Sequence, residues 1–71
     1  MKFSDKIYHL RMKQKLTQTE LAEKVHITQS AVQSYESGRA KPMYNTMVAL
    51  ANALEVDVND LLSDEKEVNA Q

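Results

Sequence analysis

Residues 17–38 constrain what this chain can fold into more than any other stretch. Two short runs of helical periodicity lie there, each preceded by a threonine and only a few residues apart. Leu21, Ala22 and Val25 make an apolar face behind Thr17, and Ala31, Val32 and Tyr35 make a second behind Thr28. A threonine hydroxyl at a helix start accepts from an early backbone N–H that has no partner within the helix, so the two threonines mark the two starts. At about 100° per residue, Gln29, Ser30, Gln33, Ser34 and Ser37 fall on the side of the second helix away from its apolar residues. That side carries no charge. Solvated helix faces are usually rich in Lys and Glu, whereas amides and hydroxyls are neutral donor–acceptors of the kind that meet base edges. Glutamine can bond adenine N6 and N7 together. By itself this face fits a Ser/Gln-rich surface helix equally well; the surrounding pattern decides between the two.

Taken in order, the chain predicts three further helices around this pair. The first is expected over residues 4–14, with Ser4 as its cap and Phe3, Ile7 and Leu10 as a core stripe. Lys13 and Lys15 place positive charge at its C-terminal end, where it complements the helix dipole. Leu16 drops into the core, and Ile27 plugs the angle between the paired helices. Tyr35 lies on the apolar side, so it is read as a packing residue and not as a stacking platform. Gly38 ends the second paired helix, and Arg39 and Lys41 in the loop after it stand where cations can grip a phosphate. Tyr44 and Asn45 are weaker candidates for the same backbone contact. A fourth helix over residues 44–54 packs Met47, Leu50, Ala51 and Leu54, although Met43 offers it no cap. Asp57 then caps a short fifth helix over residues 59–62. Leu61 and Leu62 are neighbours in sequence and cannot both face one core.

Together these residues resemble the helix-turn-helix domains of the lambda-repressor and Cro-like (XRE-type) family of bacterial and phage regulators. The resemblance spans about residues 3–62. It is carried by Arg11, Leu16, Thr17, Gln18, Glu20-Leu21-Ala22, Thr28, Gln29, Val32, Glu36, Gly38, Lys41-Pro42, Leu50-Ala51 and Ala53-Leu54. It implies an all-α, compact five-helix fold with the helix-turn-helix at helices 2 and 3. It also implies base reading by Gln29, Ser30, Gln33 and Ser34, with Gln18 bracing Gln29. Thr17, Gln18, Thr28, Ser37, Arg39 and Lys41 match positions that hold the sugar–phosphate backbone. Arg11 and Glu36 match an ion pair tying the first helix to the recognition helix. Val58, Leu61 and Leu62 match a region that often forms the dimer interface. Lys15 and His26 depart from the family, which often has glycine at both places. A left-handed backbone there costs a non-Gly residue about 1 kcal/mol, and His tolerates it better than Lys.

Composition narrows the remaining classes. A chain of 71 residues supports one small core, with residues 1–62 forming the domain and 63–71 a polar, acidic tail expected to be frayed or disordered. There is no Cys, hence no disulfide framework or thiolate metal site. His9 and His26 stand far apart without ligand spacing around them, and no cofactor or metal is expected. The N-terminus lacks the apolar run of a signal peptide, and no stretch is suited to span a membrane, so a cytoplasmic location is expected. The net charge of −1 looks unfavourable for a nucleic-acid binder, but its distribution is lopsided. Residues 1–42 hold eight Lys/Arg against four acids, and residues 43–71 hold Lys66 against six. The charged halves suit an approach to DNA one way round. The function expected is a sequence-specific double-stranded DNA-binding regulator, a small homodimeric repressor reading the major groove with helix 3. The competing reading is an antitoxin, or another member of the family that binds a protein partner such as a toxin. No catalytic constellation can be assembled, so an enzyme is not expected.

Overall fold

The computed structural model describes residues 1–63; the expected frayed or disordered tail lies outside the described residues, apart from Ser63. Among these described residues five helices follow one another: α1 (Phe3–Lys13), α2 (Gln18–Val25), α3 (Gln29–Ser37), α4 (Tyr44–Leu54) and α5 (Val58–Leu62). α2 packs on α3 and α4, α1 on α3 and α5, and α4 on α5. Their apolar faces meet in one core whose fully buried large side chains are Ile7, Leu21, Val32, Leu50, Leu54 and Leu61. Leu10, Leu16, Ile27, Tyr35, Val56 and Val58 close over its edges, each partly buried.

Local chemistry accounts for most of the boundaries. Thr17 and Glu20 form a reciprocal capping box at the start of α2: Glu20 N donates to Thr17 Oγ1 (3.0 Å) and Thr17 N to Glu20 Oε1 (2.8 Å). Thr28 caps α3 by accepting from Ala31 N at 3.1 Å, and Asp57 caps α5 by accepting from Asn59 N at 2.8 Å. Two starts differ from expectation. α1 begins at Phe3, with Lys2 as an N-cap lacking a side-chain bond, so Ser4 is a helical residue and not the cap. Packing sets this start: Phe3 is buried, edge-on to Tyr35 of α3 at 6.5 Å between ring centroids. α5 begins one residue earlier than expected, at Val58, directly after its cap.

The first four helices end alike. Lys15, His26, Gly38 and Glu55 adopt the left-handed conformation, with φ of 60°, 61°, 82° and 64°. The following amides of Leu16, Ile27, Arg39 and Val56 reach back to Arg11 O, Ala22 O, Ser34 O and Ala51 O at 3.0–3.1 Å. This double-bonded helix end satisfies carbonyls that the helix leaves free. In three cases the residue after the left-handed one is apolar and folds onto the core, which holds the turn in place despite the side chain. Gly38 is spared that strain: an added Cβ would meet only Ser4, at ordinary contact distance, so it is φ that requires glycine there. Lys15→Gly and Glu55→Gly are each expected to stabilise the domain by about 1 kcal/mol, and His26→Gly by less. Thermal melts check this, at roughly 4–8 °C per kcal/mol for a domain of this size.

Candidate nucleic-acid interface

The capped starts of α2 and α3 orient one face of the molecule. Burial of Val32 and packing of Tyr35 turn α3 so that Gln29, Ser30, Gln33 and Ser37 are exposed along its outer side. Ser34 is half-buried, with its carbonyl accepting from Ser37 Oγ at 3.2 Å as well as from the Arg39 and Ala40 amides. Thr17 and Thr28 stand exposed at the two helix starts, their hydroxyl oxygens used as caps and their hydroxyl protons still available to donate. Arg39 and Lys41 are exposed in the loop after α3 and make no ion pair among the described residues. Lys2 belongs beside them, a residue the sequence did not single out. A cleft of about 450 Å³ at the C-terminal end of α3 is lined by Lys2 and Ser4 on one side and by Ser37, Gly38 and Lys41 on the other. The packing of α1 on α3 brings Lys2 there, a contact with no local signal in the chain.

Beneath this face lies a polar cluster with almost no access to solvent. Arg11 Nε donates to Glu36 Oε2 at 2.6 Å and Arg11 Nη2 to Glu36 Oε1 at 3.1 Å, a two-pronged pair whose side chains are 10% and 7% exposed. Arg11 Nη1 donates to Leu16 O at 2.8 Å, joining the end of α1 to the same cluster. The hydrogen bond to Glu36 raises the Arg11 pKa, against the lowering effect of burial. With its pKa raised, Arg11 contributes fully below its unfolded-state value and loses that contribution only in strongly alkaline solution. Gln18 Nε2 in turn donates to Glu36 Oε1 at 3.0 Å, and Gln29 Nε2 donates to Gln18 Oε1 at 2.6 Å. The ion pair and the two glutamines therefore form one continuous chain, from the buried Arg11 to the exposed tip of α3.

The residues expected at a dimer interface separate. Leu61 is 1% exposed and belongs to the core of its own domain, which withdraws it from contact with a second subunit. Val58 is partly buried against that core, and Leu62 faces outward at 47% exposure. Among the described residues no three His, Cys, Asp or Glu gather as metal ligands, and no helix is long and apolar enough to cross a membrane.

A family model described as helix-turn-helix matches residues 7–61. The chain is 38% identical over 63 residues to the uncharacterized HTH-type transcriptional regulator YqaE of Bacillus subtilis, covering 89% of this chain and 54% of that protein. It is 34% identical over 65 residues to the immunity repressor protein of Bacillus phage phi105, covering 92% of this chain and 45% of that one. The chain thus spans about half the length of these relatives. Among solved structures, the P22 c2 repressor protein in complex with synthetic operator 9T superposes with a TM-score of 0.86 at 25% identity, covering 92% of this chain and 98% of that one.

Proposed function

This chain belongs to the helix-turn-helix family, and from that premise we propose that it is a sequence-specific double-stranded DNA-binding regulator, without catalytic activity, that acts by occupying a promoter as a repressor. The observation that carries the reading is the exposed, uncharged outer side of α3 with Gln29 held by a side chain from α2. α3 enters the major groove; Gln29, Ser30 and Gln33 meet base edges, with Ser34 beside them. Thr17, Gln18, Thr28 and Ser37, with the N–H groups at the starts of α2 and α3, hold the phosphates on either side. Arg39, Lys41 and Lys2 supply the cations. Two copies related by a two-fold axis would meet through Leu62 and the edge of Val58, and would read half-sites about 34 Å apart.

Titrating protein onto labelled duplexes across a salt series tests the reading. Arg39→Ala and Lys41→Ala are each expected to weaken binding to all sequences alike and to reduce the slope of log affinity on log salt by about 1. Binding that is indifferent to salt and to both substitutions would contradict it. A protein partner, such as the toxin that pairs with an antitoxin, is the second reading. It would be supported by a co-purifying partner that protects the α3 face from hydrogen exchange.

A further inference from the structure

The chain of hydrogen bonds under α3 has a direction, and its buried end sets that direction. Glu36 is the one member that can only accept, because an ionised carboxylate has no proton to give. Both its oxygens are held by the Arg11 guanidinium, and Oε1 also accepts from Gln18 at 3.0 Å. Only the Gln18 nitrogen can fill that place, so Gln18 must turn its oxygen towards Gln29. At 2.6 Å that oxygen demands a donor, so Gln29 must turn its nitrogen inward. Reversing either amide would set two acceptors against each other at 3.0 Å or 2.6 Å. What remains for a ligand is the Gln29 oxygen, an acceptor, next to its second N–H. A base presenting a donor beside an acceptor in the major groove matches that order, as adenine does with N6 and N7; guanine presents two acceptors, O6 and N7.

We infer that Glu36 is a positioning residue for base recognition: held by Arg11, it fixes through Gln18 which amide atom of Gln29 faces the DNA, and so sets adenine over guanine at that base. The inference rests on the reading that α3 reads DNA. It adds to the pair of Arg11 and Glu36 a role beyond joining α1 to α3, since a purely structural pair would influence every DNA sequence equally.

The test compares selection from a randomised duplex library by the wild-type protein and by Glu36→Gln, in which residue 36 can donate or accept and no longer dictates a direction. Because an unpaired Arg11 can unfold that variant, Arg11→Met/Glu36→Gln, which removes the buried charge, is carried in parallel. Gln29→Ala identifies the base concerned. The wild-type preference for adenine over guanine there is expected to fall about tenfold in the folded variants, in the range set by one bidentate contact, while affinity for random DNA changes less than about twofold. A structural role alone lowers all affinities together and leaves the ratio intact, and that result overturns the inference. Side-chain amide spectra of the free protein read the same relay without DNA. The Gln18 amide proton is expected downfield in the wild type and shifted upfield when Glu36 is replaced; no such shift overturns the relay. Wild-type protein that selects no sequence overturns the DNA reading, and the amide spectra then decide the relay by themselves.

Discussion

Replacing Glu36 with alanine is expected to cost about 3–5 kcal/mol, the loss typical when one partner of a buried ion pair is removed. The side chain sits at 7% exposure and accepts from two Arg11 nitrogens and from Gln18. Its removal leaves a guanidinium, itself 10% exposed, without an anion. A domain of this length has a total stability of roughly 4–10 kcal/mol at 0.05–0.15 kcal/mol per residue, so the variant loses between about a third and all of that reserve. Arg11→Ala should be similarly damaging, because it strands the carboxylate and also frees Leu16 O. The double substitution Arg11→Met/Glu36→Leu removes both charges together, and is expected to recover most of the loss, since apolar side chains of similar volume often replace a buried pair without penalty. Urea melts followed by circular dichroism give all the values, and the double-mutant cycle isolates the coupling. A Glu36→Ala effect within about 0.5 kcal/mol, the range of ordinary surface changes, would show that the pair does not hold α1 to α3.

Gln29→Ala is expected to act on recognition and not on stability. Gln29 is exposed, follows the Thr28 cap and makes one side-chain bond, to Gln18. Its loss removes one bidentate base contact of about 1–3 kcal/mol, a factor of roughly 5 to 150 at that base. The melting temperature should hardly move, and affinity for random DNA should stay close to wild type, because phosphate contacts supply that term. Competition between duplexes differing at the one base measures the effect. An equal loss on every duplex would mean that Gln29 touches the backbone.

What the residues foretell and what they hide follow from range. Thr17 and Thr28 announce their helices because a cap acts over three residues. The apolar spacing of Leu21, Ala22 and Val25 announces a buried face because helical geometry is local. The left-handed ends at Lys15 and His26 were expected from the family pattern. Glu55 was not, although its signal is the same: a helix interrupted before an apolar residue that folds back, as in Lys15-Leu16, His26-Ile27 and Glu55-Val56. Where tertiary contacts act, the local rules give way. Ser4 is a better cap than Lys2 in isolation, yet burial of Phe3 against Tyr35 draws the cap of α1 two residues earlier. Leu61 and Leu62 are alike in composition, and only the packing of α5 on α1 and α4 decides which is buried. The exposed row of Gln29, Ser30 and Gln33 is legible from periodicity alone. The link from Gln18 to Glu36 is not, since it joins residues on two helices whose crossing no local pattern specifies.

Selection and sequencing from a randomised duplex library at about 0.1 M salt, where exposed charges are screened but not silenced, tests the DNA-reading assignment most directly. The expected result is a two-fold symmetric site, its half-sites separated by about one helical turn, with an adenine preference that disappears in Gln29→Ala. Enrichment of no motif by the folded protein would contradict it.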